Sequence, residues 1–477
     1  MGRCARISAR RTQATHRQAE YNSVPRLDRK MLPPPGVTMP KITTNLSILF
    51  LLALSAVFAQ ESAPVKLTLK DAVNLALKQN PQVILANLGV SQSEQDRLLA
   101  RAALLPQVGA KATETVNRLN LAAMIGMNFP GFAQHVGPFE VAQAGVGVTA
   151  PVFDLTLWRR YRSSQLGVDS VRAQEVSVRE ESVLLVVSQY LGSQRAAADV
   201  QAAQSRVDLA QALYDQAADL QKNGVGTGID TLRSNVQLQN EKQRLIVART
   251  QLQTSLYGLA RLLNIEPNRN IELADQVSFF DTPEVSTDQT LDRAYASRPE
   301  LREVLTREQR AQIDLKTADA ARLPKVSLNG LWAEQGLTPA SAIPVYIYQG
   351  AIDIPLFTGG QIQAERAKAD LAIRQLRQQE QELRNRIALE VKTALAQLAS
   401  ARTEVNVANL GVDLAKQEVD QARDRFQAGV ANNIEVITAQ DELSRASDNQ
   451  IAALYRYNQS RADLAHSVGQ MEAMYAK

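Results

Sequence analysis

The chain has 477 residues, a formal net charge of +4 and only 5% aromatic residues. The scarcity of aromatic residues, with abundant Ala, Gln, Leu, Arg and Glu, favours long helices over layered globular cores. The sequence pI of about 9.0 does not indicate a nucleic-acid partner. Residues 1–41 hold nine Arg or Lys against two acids, so the chain after Ala59 is mildly acidic.

The N-terminal segment is predicted to be a leader followed by a signal peptide. Residues 1–38 lack apolar periodicity, and we interpret them as disordered or as sequence upstream of a start at Met39. From there, a lysine, an apolar run over residues 46–58 and a small residue at position 59 form the pattern of a secretory signal peptide over 39–59. A signal anchor is the alternative. The single cysteine, Cys4, lies upstream, so we expect no disulfide and no lipid anchor.

The rest of the chain repeats one unit. Ala-Leu-Lys-Gln-Asn-Pro-Gln-Val at 76–83 corresponds to Ala-Tyr-Ala-Ser-Arg-Pro-Glu-Leu at 294–301, and each proline is followed 25 positions later by another, Pro106 or Pro324. A fixed order of matching segments indicates an internal repeat. The predicted organisation is a first repeat over 60–270, a linker over 271–290 and a second repeat over 291–477.

Between the prolines of each repeat, a period of two replaces the period of 3.6. Val146 and Val148 alternate with glycines in the first copy, and Tyr346 and Tyr348 share a face with Ile352 in the second. Each repeat therefore has one predicted strand hairpin. The predicted strands cover 107–116, 143–152, 325–334 and 346–356.

Four strands with an apolar face can neither bury that face nor satisfy their edges within one subunit. Their length, about ten residues, is that of a tilted membrane-spanning strand. Three copies would supply the twelve strands of a closed barrel. A small four-stranded sheet packed on the helices is the alternative.

A long helical hairpin is predicted after each strand pair. Helices are expected over about 154–222 and 358–428, because apolar residues step by four and three along both stretches. Gly224 and Gly429 then act as C-cap glycines before the periodicity resumes. A helix of the second length extends roughly 100 Å at about 1.5 Å per residue. The apolar seams are Ala196, Val200, Ala203, Val207, Ala210, Tyr214 and Ala217 in the first copy, and Ile387, Val391, Ala394, Leu398, Ala401, Val405, Ala408, Val412, Ala415, Val419, Ala422 and Phe426 in the second.

These features resemble the TolC family of outer-membrane efflux proteins across residues 65–475. The shared features are a helix of the Ala-Leu-x-x-Asn-Pro type, a Leu-Pro-x-Val strand start, a Pro-Val/Leu-Phe strand end and a Gly-x5-Asp/Glu turn, each present twice. The resemblance implies a mainly α fold with a small β part. Long antiparallel coiled-coil hairpins form two internal repeats, and four strands per chain complete a trimeric twelve-stranded transmembrane β-barrel.

The resemblance also implies a location and a function. The protein would be a homotrimer in the cell outer membrane, in contact with its lipid, with a helical tunnel in the periplasm. It would be the passive exit duct of a tripartite efflux or type I secretion system. A periplasmic membrane-fusion adaptor and an inner-membrane pump of the RND or ABC type would open it.

The family resemblance further assigns roles at the two helical turns. Glu435 matches an acidic position that rings the periplasmic constriction, where three carboxylates would attract cations. The alternative is a first-turn carboxylate favoured by the helix dipole. The segments that match the family's adaptor-docking tip contain Gly224, Val225, Gly226, Gly429 and Val430, although the turn itself also explains these glycines.

Asp230 occupies the place corresponding to Glu435 in the first copy, where the family forms a latch with a tyrosine and an arginine. The matching positions here carry Phe426 and Ala431, so the latch cannot form as it does in the family. Arg423 and Arg425 are the candidate substitutes for the missing arginine.

No catalytic residue, cofactor or metal site is predicted, so we do not expect an enzyme. The histidines His16, His135 and His466 lack ligand spacing, and neither a phosphate loop nor a nucleophile elbow is present. Bases are interspersed with acids, so no nucleic-acid partner is expected. The alternative function is an exported elongated coiled-coil structural or adaptor protein without a membrane barrel. The stretch between Ile265 and Thr290 is too short for the extra β domain of such an adaptor.

Overall fold

A computed structural model describes residues 65–127, 131, 133–266, 269–275, 279, 286–431 and 433–476. The predicted leader and signal peptide, together with part of the predicted linker, lie outside the described residues. The described chain is mainly helical with a small β part, as the sequence predicted.

The elements follow each other in an order that repeats. In sequence they are β1 (Val65–Leu67), α1 (Leu69–Gln79), α2 (Pro81–Ala102), β2 (Gln107–Asn120), α3 (Leu121–Ile125), β3 (His135–Phe153), α4 (Leu155–Lys222), α5 (Gly228–Leu262), β4 (Ile271–Leu273), α6 (Thr287–Ser297), α7 (Pro299–Ala320), β5 (Lys325–Gly336), a 3-10 turn (Pro339–Ser341), β6 (Ile343–Asp353), α8 (Gln361–Gln427), α9 (Asn433–Val468) and α10 (Met471–Tyr475).

The main sheet is antiparallel, with the strand order β2-β3-β5-β6. Its register pairs Val146 with Trp332 and Trp332 with Tyr346, so these side chains share one face. Large apolar side chains on that face are exposed to solvent in the single chain. The opposite face carries the polar side chains of Lys111, Thr113, Gln143, Thr149, Asn329 and Gln349. The alternation read from the sequence is therefore real, and it separates an apolar from a polar face.

Two strand boundaries differ from those predicted. The strand predicted over 143–152 begins at His135, because its pairing with β2 continues through Phe139 and, past an irregularity, to the end of that strand. Polar and glycine residues interrupt the apolar alternation there, so the sequence pattern misses this part. The strand predicted over 346–356 covers 343–353 instead. It ends before Pro355, which has no N–H to donate to a ladder.

The starts of the two long helices have different causes. Asp154 caps α4, since its Oδ1 accepts the N–H groups of Thr156 at 2.8 Å and Leu157 at 3.3 Å. Burial raises the pKa of the Asp154 carboxyl, but these hydrogen bonds, one from the Thr156 hydroxyl and the nearby Lys325 outweigh it, and the net pKa is lowered. By contrast, α8 begins at Gln361 and not at 358, because Gly359 and Gly360 adopt φ angles of 56° and 86°.

The helices pack side by side in two layers. Next to the sheet the order of neighbours is α2-α4-α7-α8, and at the far end it is α5-α4-α9-α8. The predicted seams along α4 and α8 are buried, for example at Ala203, Val207, Val405 and Val412. Near the far end, Leu213 of α4 joins Val419, Ala422, Val436 and Ala439 of α8 and α9 in one apolar cluster. This cluster holds the two hairpins of the chain together.

Candidate functional site

The two long helices end in turns of identical construction. After α4, Gly224 has a φ of 73° and donates to the carbonyl of Gln221, while the N–H of Val225 reaches the carbonyl of Leu220 at 3.0 Å. After α8, Gly429 has a φ of 72°, and the N–H of Val430 reaches the carbonyl of Arg425 at 3.0 Å. Both are Schellman closures, which use glycine because other residues resist a positive φ.

The three tip glycines meet different constraints. A Cβ on Gly226 would lie 2.9 Å from the Cβ of Leu220, so this position has no room for a side chain. A Cβ on Gly224 or Gly429 would have no described heavy atom within 4 Å, and only the φ angle disfavours substitution there. Val225 and Val430 are 79% and 67% exposed beside them. The tip therefore presents apolar side chains on small, tightly closed turns.

Glu435 lies in the first turn of α9 and forms an ion pair that the sequence did not indicate. Its Oε1 accepts the Nε–H of Arg425, in the last turn of α8, at 2.9 Å. Both side chains are about half-exposed, so the pair adds little stability. The arginine does, however, offset the charge of the carboxylate that was assigned to the constriction.

The residues assigned to a latch lie in local contacts. The Thr227 hydroxyl donates to Asp230 Oδ2 at 2.5 Å, and Arg233 Nη1 lies 4.0 Å from Oδ1. Phe426 packs against the apolar cluster between the hairpins instead of the surface. Arg423 is exposed. A latch between Asp230 and Arg423 or Arg425 stays a prediction.

A group of polar residues farther from the tip was missed from the sequence. The buried positions of α5 include Ser234, Leu238, Glu241 and Leu245, which step by four, three and four. A carboxylate thus occupies a seam position, where apolar residues are usual. That step pattern was the available signal, and the contacts of Glu241 with Arg206 and Arg244 explain how the charge is accommodated.

Two searches of the described residues gave negative results. Among them, no helix has the length and apolarity needed to cross a membrane. No described group of three or more His, Cys, Asp or Glu could hold a metal ion. His135 begins β3 and His466 lies near the end of α9, whereas His16 is outside the described residues.

Comparisons with known proteins point in one direction. A family model described as outer membrane efflux protein matches residues 72–264 and 290–470. The alkaline protease secretion protein AprF of Pseudomonas aeruginosa is 24% identical over 91% of this chain and 90% of its own. The pyoverdine export outer membrane protein OpmQ of the same species is 22% identical over 80% of both chains. The crystal structure of the Campylobacter jejuni CmeC outer membrane channel superposes with a TM-score of 0.73 at 18% identity, over 84% of this chain and 85% of that one.

Proposed function

Because the chain belongs to the outer membrane efflux protein family, we propose that three copies of it form a channel-tunnel, the exit duct of a tripartite efflux or type I secretion system. Family membership confirms the resemblance and the outer-membrane location expected from the sequence. The two matched segments support the two-repeat organisation over 60–270 and 291–477, which is part of the proposal.

The observation that carries the proposal is that all three layers of the chain end in open edges. The sheet ends at β2 and β6, the helical layer beside it at α2 and α8, and the far layer at α5 and α8. A neighbouring copy that sets its β2 and α2 beside β6 and α8 continues every layer at once. Open strand edges and exposed apolar stripes both favour such a partner. The exposed apolar residues are Leu85, Leu88 and Leu99 on α2, Leu232 and Val236 on α5, and Leu371, Leu389, Leu410 and Leu414 on α8.

The position of the membrane follows from the sheet and its helical end. Leu356 and Phe357, at the β6–α8 corner, are 94% and 91% exposed. Trp158 is half-exposed in the first turns of α4, with the Arg162 guanidinium 5.4 Å from its ring centroid. Tryptophan and basic residues commonly lie at the boundary between lipid and water. The bilayer boundary is therefore placed at the junction of strands and helices, and the helices extend into the periplasm.

The duct itself is passive in this proposal and is not an enzyme. The tip turns around Gly224 and Gly429 dock the membrane-fusion adaptor, and an inner-membrane pump drives transport. AprF and OpmQ are named for protease secretion and pyoverdine export, so both routes suit a duct of this kind. The alternative of a barrel-free coiled-coil protein leaves the exposed apolar sheet face without a partner.

Membrane fractionation tests the proposal. In a Gram-negative host, the full chain should fractionate with the outer membrane and migrate as an SDS-resistant trimer that becomes a monomer on boiling, because closed barrels resist SDS until heated. A variant with Tyr346 and Tyr348 changed to glutamate serves as the control. Charges on the lipid-facing side of a strand each cost up to about 4 kcal/mol near the membrane centre, so this variant should lose membrane insertion. A monomer in gentle detergent, or a soluble periplasmic protein, would contradict the proposal.

A further inference from the structure

A layer of charged and amide side chains interrupts the contact between the two hairpins of the chain, on the sheet side of the apolar cluster around Leu213. Arg206 of α4 lies at its centre. Its Nη1 is 3.0 Å from Asp448 Oδ1 on α9, and its Nε is 3.4 Å from Glu241 Oε2 on α5. The first bond joins the first hairpin to the second.

A second bridge runs parallel to the first. Gln237 Nε2 of α5 lies 3.2 Å from Asp441 Oδ1 of α9 and 3.3 Å from Glu241 Oε1. Arg244 Nη1 donates to the same Glu241 oxygen at 2.7 Å. The network thus starts and ends on α9 and crosses both helices of the first hairpin. We call it the polar layer: Arg206, Gln237, Glu241, Asp441 and Asp448.

The polar layer surrounds a cavity of about 260 Å³, also lined by Lys416, Gln440 and Ser444. Glu241 is only 3% exposed. Arg206 Nε and Glu241 Oε2 are buried and lack hydrogen-bond geometry, and the buried Gln440 Nε2 has no acceptor among the described residues. Incompletely satisfied buried polar groups cost free energy, and buried charges gain when water reaches them.

The cost of moving the hairpins apart therefore differs along their length. Around Leu213, separation would expose apolar surface to water at a cost of about 25 cal/mol per Å². At the polar layer, the same movement would hydrate groups that are poorly satisfied in the packed arrangement, beside an aspartate that is already half-exposed.

We infer that the polar layer is the joint along which the two hairpins of each subunit shift when the duct opens, with Arg206 as its releasable tie. This inference rests on the proposed function, since it concerns the opening of the duct. Arg206 acts here as a positioning residue, because it sets the relation of the hairpins and does not line the tip.

Two variants test the joint by moving gating in opposite directions. Arg206→Gln removes the tie to Asp448 and should increase the open probability of single channels in planar bilayers about tenfold, within the usual range of coupling between sites. Arg206→Met combined with Glu241→Met replaces the ion pair by apolar side chains, which are often neutral or stabilising in such places. This double variant should open about tenfold less often than the wild type.

The exposed pair Arg445 and Glu442 supplies the matched control, because both residues lie on α9 and join no two helices. Arg445→Gln should gate like the wild type. All variants should migrate as heat-modifiable trimers, and if Arg206→Gln does not assemble, the double methionine variant decides. Conducting channels whose Arg206 variants gate like the wild type, or shift in the same direction, would overturn the joint alone. A wild-type trimer that never conducts would overturn the proposed function and the joint together.

Discussion

Replacing Gly224 and Gly429 together with leucine is expected to abolish export while the trimer still assembles in the outer membrane. Each leucine would have to adopt a φ near 72°, at a cost on the order of 1–2 kcal/mol per position. Neither Cβ would meet a described heavy atom within 4 Å, so the turns should persist and the new side chains should project outward. They would then cover the surface that docks the adaptor. Export of a cognate substrate in cells with the matching adaptor and pump is the measurement.

Asparagine at the same two positions separates docking from turn formation. Asparagine tolerates a positive φ better than leucine and is smaller, so this control should retain most of the export. Wild-type export by the leucine variant would show that the tip is not the docking surface. Equal loss in both variants would favour the simpler explanation, that the glycines serve only the turn.

Changing Arg425 to glutamine is expected to raise the cation preference of the pore. Arg425 lies 2.9 Å from Glu435 and offsets its charge, so removing it leaves three uncompensated carboxylates around the axis of a trimer. Clustered charge of one sign raises the local counter-ion concentration. We expect the permeability ratio of cations to anions to rise several-fold, on the order of threefold. Reversal potentials in a salt gradient across planar bilayers measure this ratio.

The partner variants complete the test. Glu435→Gln should lower the cation preference, and the double variant should return close to the wild type, because the pair is then removed as a whole. Asp230→Asn should alter gating more than selectivity, since its described contacts are with Thr227 and Arg233 of its own turn. Identical reversal potentials in all four proteins would mean that Glu435 is an ordinary first-turn acid.

The long-range order of this fold could be read from the sequence because one-sided burial leaves a periodic record. Val391 and Val405 lie on the seam because the other faces of α8 meet solvent. Tyr346 and Tyr348 reveal β6 because a strand alternates its faces. The positive φ of Gly224 and Gly429 was also readable, since few other residues end a helix in this way.

The remaining features depend on tertiary geometry that leaves no local record. Arg425 and Glu435 meet only because the turn between α8 and α9 folds the chain back, and sequence reasoning assigned Arg425 to Asp230 instead. Arg206 and Asp448 are 242 residues apart, and their contact requires the packing of one hairpin on the other. The buried seam position of Glu241 was visible in principle, because a heptad with a carboxylate needs a partner.

The closure of three copies through the outer strands is the central claim, and disulfide trapping tests it most directly. The only cysteine is Cys4, in the predicted leader, so pairs of new cysteines report on chosen contacts. Cysteines at 108 or 110 of β2 would be combined with cysteines at 348, 350 or 352 of β6. A pair at 332 and 346, which face each other across β5 and β6 within one chain, is the intrachain control. The account predicts that at least one β2–β6 combination, oxidised in cells, yields covalent trimers on denaturing gels, while each single variant stays monomeric. Links confined to one chain, or no link in any β2–β6 combination while the control pair oxidises, would contradict it.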